Sequence, residues 1–388
     1  MKSNQFNGER LKAARIYNGL TVAELAECLG LQRQTVSMYE NNKISNPDYS
    51  VLKNIEHTLG FPIEFFLQND STTIYKGSTY FRSLLTTSKK YRSVQIQRIT
   101  FIAQLYTFIS KYINFPATNL PTYNGENPEE AARLLRSSWS LDDKPIDNLI
   151  YLVEQKGIIV TCFASESDSI DAFSQQIDID GEDKYLIGYS KNKTTAARIH
   201  FDIAHELGHI LLHEWSEDVE ALSKEEFKKV EQQAHSFAGA FLLPKEAFLK
   251  DLGAYGTSLE YYIELKKKWK TSISAMIRRA YNLGAITQFS YQQLMRTMQK
   301  KGIKKFEPLD DVLTTASPAL LQAAVQMLLD QNVFTAKEFV DTLAHDYNLS
   351  LKPREIERLL DLKKDTLHYI ETVPEHRLHL RLIRSNKQ

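Results

Sequence analysis

Apolar residues recur at helical spacing along most of this chain, and strand-like runs are confined to one central stretch. Residues Glu9–Arg15 read as a first short helix. Thr21 then caps a helix over 22–29, with Glu24 three residues on completing a capping box. Gly30 breaks that helix, and Gln32–Glu40 starts another, followed by helices at 51–60 and 62–66. Ile96, Ile99, Ile102, Leu105, Tyr106 and Ile109 place a helix over 94–113, broken at Phe115-Pro116. Helices are also predicted at 127–135 and 146–156, and strands at 157–163, 172–178 and 184–190.

Two further helices follow the strands. Positions 199–212 are apolar nearly all round (Ile199, Ile203, Ala204, Leu207, Ile210, Leu211), which marks a buried helix. Ala234, Phe237, Ala238, Phe241 and Leu242 give the next segment an apolar face, and Pro244 ends it. Residues 269–284 read as helices around a turn. From 308 onward the pattern is a helical tail carried by Leu320, Leu321, Ala324, Leu328, Val340, Leu343, Ile356 and Leu359.

The predicted fold class is α+β and mostly helical. At 388 residues the chain exceeds one ordinary core. Four parts are expected: an all-α helix-turn-helix domain at 1–68, a helical connector at 69–120, an α+β domain with a small sheet at 121–305, and a helical region at 306–388. Lys plus Arg and Asp plus Glu each total 48, so the whole molecule has no bulk attraction to nucleic acid or anionic membrane. Only two cysteines occur, Cys28 and Cys162, far apart in sequence. That argues against a disulfide framework and for a reducing compartment. No apolar run approaches 18 residues and no signal-peptide pattern opens the chain, so a cytoplasmic location without membrane contact is expected.

The chemistry concentrates in His205-Glu-Leu-Gly-His209. Four residues apart on a helix, His205 and His209 emerge on one face one turn apart, a separation that lets two nitrogens bind one tetrahedral metal ion. Glu206 projects beside them, where it can act as a base toward water. The chemistry implied is zinc-assisted peptide hydrolysis. Gly208 inside the helix costs about 1 kcal/mol against Ala, so close backbone approach by a strand or by substrate is its expected reason. A catalytic zinc needs a third protein ligand. Glu231, one turn before Ala234, is the favoured carboxylate, with His235 as competitor or as its partner. His213 continues the ladder but is rotated away, and reads as structural or as a hydrogen-bonding partner behind the ligands.

These residues, His205-Glu-Leu-Gly-His-Ile-Leu-Leu-His213 followed by Glu231-x-x-Ala-x-x-Phe-Ala-x-x-x-Leu-Leu-Pro244, resemble the ImmA/IrrE family of bacterial metallopeptidases. The resemblance implies that His205, His209 and Glu231 bind zinc and that Glu206 is the catalytic base. His235 stands where the family more often carries Asn. A thermolysin-like helix pair packed on a small sheet is also implied. So is a protein substrate of a particular kind: a helix-turn-helix repressor, cut to release stress or mobile-element genes.

Residues 8–68, with two short helices around Gly30 and the Ser37-x-Tyr39-Glu40 to Pro47 close, resemble the repressor-like (XRE, lambda-repressor) helix-turn-helix domain. The resemblance implies double-stranded DNA as partner. A recognition helix presents its N-terminal residues to the major groove, so Gln32, Arg33, Gln34 and Ser37 are the base-facing candidates. Residues 1–68 carry seven basic and seven acidic side chains, so phosphate attraction is weak, and a protein-interaction use of the bundle is the competing reading.

Two stretches are basic throughout. Residues 75–111 hold seven Lys/Arg and 266–305 hold eleven, neither with an acidic residue. Each reads either as a solvated face or as a further nucleic-acid contact. Within the first, Tyr80-Phe81-Arg82 resembles a short element of the larger helix-turn-helix-fused family members. An edge strand of the sheet would hold substrate backbone by strand addition. Tyr185, Tyr189 and His200 are candidates for donors to the transition state. The helical tail carries no chemistry of its own; sensing or homodimer formation is what it would offer. Two functions follow: a regulatory zinc endopeptidase with its own DNA-binding domain, or a DNA-binding regulator whose peptidase fold is mainly sensor or scaffold.

Overall fold

A computed structural model describes residues 5–69, 75–81, 89–163, 172–179, 181–191, 195–213 and 222–369. Arg82 and residues 370–388 of the tail lie outside them. The N-terminal bundle comprises α1 (Gly8–Tyr17), α2 (Val22–Leu29), α3 (Arg33–Glu40) and α4 (Tyr49–Leu59), closed by a 3-10 turn at Ile63–Leu67. The capping box is present: Thr21 N–H donates to Glu24 Oε2 at 2.6 Å, and Glu24 N–H to Thr21 Oγ1 at 3.1 Å. Gly30 ends α2 at φ 65°, a left-handed conformation that favours glycine. Leu11, Ala14, Leu25, Val36, Ile55 and Leu59 form the bundle core. Arg15 and Glu40 pair inside it, with Nη2 to Oε2 at 3.0 Å.

After the bundle come β1 (Tyr75–Phe81) and α5 (Lys89–Ile109), then α6 (Pro128–Ser138) and α7 (Leu149–Gln155). The strands β2 (Ile159–Phe163), β3 (Ala172–Ile179) and β4 (Glu182–Ser190) lead into α8 (Ala196–Leu212) and α9 (Lys224–Leu242). Four helices follow: α10 (Lys245–Leu252), α11 (Leu259–Trp269), α12 (Ile273–Asn282) and α13 (Gln288–Lys300). The C-terminal region holds α14 (Leu320–Asp330), α15 (Ala336–Asp346) and α16 (Pro353–Leu359). The architecture is α+β and mostly helical, as the periodicity predicts. No helix among the described residues is long and apolar enough to cross a membrane.

The sheet is mixed, in the order β1-β3-β4-β2. β3 and β4 pair antiparallel from Ala172 opposite Tyr189 to Ile179 opposite Glu182, and β2 runs parallel to β4. α8 packs on β3 and β4. One strand corrects the expectation of a purely helical connector. β1 pairs antiparallel with β3, from Tyr75 opposite Asp178 to Phe81 opposite Phe173. Its polar centre, Lys76-Gly-Ser-Thr79, has no apolar alternation, so the pairing rests on backbone hydrogen bonds that side-chain pattern does not report.

The connector helix is a hub. Phe101 of α5 packs against Tyr17, Phe61 and Phe65 of the bundle, with ring centroids 5.2–5.9 Å apart. Phe108, two turns on, packs against Phe334, Phe339 and Tyr347 of the C-terminal region. Every residue from Phe101 to Ile109 is buried, so this half of α5 has no solvated face.

The C-terminal region touches both ends of the molecule. Arg10 Nη2 donates to the Asn348 carbonyl at 2.9 Å, and Gln68 Nε2 donates to the Ala344 carbonyl at 2.8 Å. Toward the sheet, Lys191 pairs with Asp361 at 2.6 Å, and Glu154 accepts the backbone N–H groups of Ala319 and Leu320 at 3.1 Å. Six of the eleven basic residues in 266–305 are held in ion pairs. Lys266 is buried between Glu307 and Asp310 at 2.9 and 2.6 Å, while Lys268, Lys270 and Lys301 pair with Asp251, Asp147 and Glu260.

Candidate metal centre

The α8–α9 pair builds the site. Gly208 sits where the helices touch: a Cβ there would stand 3.1 Å from Ala234 Cα and 3.2 Å from the Ala234 carbonyl oxygen. The close approach expected of a strand or substrate is thus made by α9. Two buried arginines hold the C-terminal end of α9. Arg136 on α6 donates to the carbonyls of Phe241, Asp142 and Lys144, and Arg279 on α12 donates to that of Leu243. Arg279 also pairs with Glu129.

This contact brings three side chains from two helices to one point. His205 Nε2 and His209 Nε2 lie 3.1 Å apart. Glu231 offers Oε2 at 3.4 Å from the first and Oε1 at 3.3 Å from the second. Both imidazoles are fully buried, while the Glu231 side chain is 17% exposed. Burial alone would raise the Glu231 carboxyl, but the adjacent histidines outweigh it and hold the group down at about 2. Ligands about 2.1 Å from a tetrahedral zinc stand roughly 3.4 Å from one another. The three residues fit such an ion in donor type and in spacing, with Glu231 opening the cluster toward solvent.

Glu206 is buried at the same level, and Ser174 Oγ on β3 donates to its Oε2 at 2.6 Å. Sequence reasoning missed Ser174, because a lone serine in a strand carries no periodic or motif signal. His213 shares a hydrogen bond with His209, Nδ1 to Nδ1 at 3.1 Å, and lies 3.4 Å from Gln233 Oε1. Burial, then the charge of His209, pushes the His213 imidazole down to about 3. His235 is exposed. Its ring packs edge-on to His205, centroids 4.8 Å apart, outside the group of ligand-spaced atoms. A cleft of about 940 Å³ opens beside Glu231 and His235, walled by Phe201, Arg278 and Tyr291.

Two of the suggested transition-state donors, His200 and Tyr189, are engaged elsewhere. His200 Nε2 meets Thr315 Oγ1 at 2.9 Å, and burial pushes this imidazole down to about 4. Tyr189 is buried against Cys162, whose thiol is pushed up to about 12 by burial and by Asp361. Tyr185 is half-buried on β4. At the opposite end of the chain, Gln32, Arg33 and Gln34 are exposed at the start of α3, and Ser37 is half-buried beside Asn41. Cys28 and Cys162 are both free thiols.

Comparison with known families adds two matches. Residues 153–281 match the peptidase M78 family, described as the IrrE N-terminal-like domain, and residues 8–71 match a helix-turn-helix domain family. No curated protein matches the chain. The first match runs from β2 into α12 and includes His205, Glu206, His209 and Glu231, and the second spans the N-terminal bundle. The chain therefore carries one segment similar to a helix-turn-helix domain and, after it, one similar to the IrrE N-terminal-like domain of the M78 peptidases.

Proposed function

We propose that this protein is a zinc-dependent endopeptidase of the His-Glu-x-x-His type, with His205, His209 and Glu231 as metal ligands and Glu206 as catalytic base. The observation that carries the reading is the spacing of the three ligand groups, 3.1 to 3.4 Å between facing atoms, next to a buried carboxylate. Zinc, when bound, supplies Lewis-acid polarisation of the scissile carbonyl and of water. The chain's own residues do the rest. Glu206 takes a proton from the attacking water as its oxygen adds to the carbonyl carbon. The same carboxylate then delivers that proton to the departing amide nitrogen as the C–N bond breaks, leaving a carboxylic acid and an amine, between which the second water proton equilibrates in solvent. Ser174 holds one Glu206 oxygen at 2.6 Å, which orients the other for proton transfer. Burial of both histidines keeps competing water from the ligand atoms.

The helix-turn-helix domain directs this activity to double-stranded DNA, through Gln32, Arg33, Gln34 and Ser37 at the start of α3. The substrate class that fits is a transcription regulator, a helix-turn-helix repressor bound at the same locus, in the cytoplasm. The competing reading is a DNA-binding regulator whose peptidase fold serves as sensor or scaffold. It draws on the contacts the C-terminal region makes to both the bundle and the sheet.

One substitution separates the two readings. Glu206→Gln should keep one zinc per chain and keep DNA binding while abolishing cleavage of a co-purified repressor. If cells carrying that variant regulate the target genes normally, the enzyme reading fails. For the DNA contact, Arg33→Ala should weaken operator binding by about 1–3 kcal/mol. Unchanged affinity, with no dependence on salt, would count against groove binding.

A further inference from the structure

We infer that residues 75–81 occupy the sheet edge along which an extended peptide substrate binds, so that the chain blocks its own site until this strand is released. The inference rests on the peptidase reading above. β3 is the strand beside the reacting group, since its Ser174 holds Glu206 at 2.6 Å. One side of β3 is paired with β4 along its whole length. Only the outer side offers backbone N–H and C=O groups to an incoming chain, and an open edge of this kind takes an extended peptide by strand addition. β2, the opposite edge of the sheet, lies two strands away from Ser174 and does not serve.

That outer edge is filled by β1. The pairing is antiparallel and runs past the reacting group: Thr79 stands opposite Gln175, Tyr80 opposite Ser174 and Phe81 opposite Phe173. A substrate cannot pair there while β1 does. The occupant is also built to leave. Its register shifts between Lys76 and Thr79, which interrupts the ladder, and the interruption includes Gly77. β1 lies in the chain between the helix-turn-helix bundle and α5, and α5 itself packs on α1. The blocking strand thus lies in the chain between the bundle and the helix that packs on it, and the Tyr80-Phe81 element gains a role that DNA contact did not supply.

The test uses the full-length, zinc-loaded protein. Thr79→Pro removes a backbone donor beside the β3 ladder and disfavours the strand, because proline is depleted in paired strands. The probe is a fluorescein-labelled peptide of sequence YKGSTYF, read by anisotropy in a Glu206→Gln background so that nothing is turned over. Binding should be at least tenfold tighter once Thr79→Pro is added. With Glu206 intact, Thr79→Pro should cleave casein at least tenfold faster, mainly through a lower KM. A folded Thr79→Pro protein that binds the peptide no better overturns the inference, as does casein cleavage at equal rates with and without the substitution. The second result would leave the peptidase reading standing. Peptide binding with no cleavage of casein or of the co-purified repressor would do the reverse, supporting the occupied edge and sinking the peptidase reading. Should Thr79→Pro not fold, hydrogen exchange on the unsubstituted protein replaces it. Excess peptide should expose the amides of 75–81 while 172–178 stay protected, and unchanged exchange in both segments overturns the inference. Self-cleavage within 75–81, seen by mass spectrometry, would also overturn it, because the segment would then be a substrate.

Discussion

The Ser174 hydroxyl on β3 donates to the Glu206 carboxylate on α8 at 2.6 Å, and both side chains are fully buried. One hydrogen bond thus joins the sheet to the proposed base. Removing it with Ser174→Ala leaves a buried carboxylate oxygen short of a donor, which costs about 1–3 kcal/mol. Urea unfolding should show that loss while zinc content stays at one per chain, and cleavage should slow through kcat more than KM. A variant as stable as the parent would mean that the bond contributes nothing.

Gly208 makes a steric prediction. Ala favours a helix interior over Gly by about 1 kcal/mol. Against that, the new methyl would press on the Ala234 backbone at 3.1–3.2 Å, where overpacking costs about 1–3 kcal/mol. Gly208→Ala should therefore destabilise the fold. It should also weaken zinc binding, because α9 carries Glu231. A rise in the thermal midpoint would show that the helices can separate freely.

His200 should make stability depend on pH. Its folded-state value, about 4, lies below the ordinary value of 6.5, through burial first and Lys270 second, with Asp147 opposing. Between those values the unfolded chain binds the proton more readily. The contribution is complete above pH 6.5 and is lost as pH falls toward 4, amounting to about 3 kcal/mol. His200→Gln should flatten the unfolding free energy across that window. An unaltered slope would assign the acid sensitivity to other groups.

Metal removal has a predicted thermodynamic signature. A ligand that binds only the folded state stabilises it by about 4 kcal/mol at a free concentration a thousand times its Kd. Added zinc should raise the thermal midpoint of chelator-treated protein, and His209→Ala should abolish the rise. A rise of the same size in that variant would place the metal elsewhere.

Tyr17 links the first helix to the last. Its hydroxyl accepts from Arg358 Nη2 at 3.0 Å and donates to Glu355, in a side chain only 5% exposed. Tyr17→Phe removes a bond to each of two charged groups, each worth about 1.5–3 kcal/mol. Amides of α16 should exchange faster in hydrogen-exchange mass spectrometry. If their protection is unchanged, the bundle and the C-terminal region are held together by other contacts.

Much of this molecule is legible in its sequence, and the reason is local. A helix buried on one side must repeat apolar residues every three to four positions, so α8 and α9 are visible in Ile203, Leu207, Ala234, Phe237 and Phe241. A capping box is a four-residue contact, so Thr21 and Glu24 announce the start of α2. His205 and His209 meet because they lie one turn apart on one helix. Tertiary structure alone decides what each buried face is buried against. It sets Gly208 on Ala234, Ser174 on Glu206 and His200 on Thr315, pairs that lie 26, 32 and 115 positions apart. It also turns Tyr75–Phe81 into a strand, whose Lys76-Gly-Ser-Thr79 centre lacks the apolar alternation that would announce it. Periodicity reports that a face is covered; packing across distant segments determines what covers it.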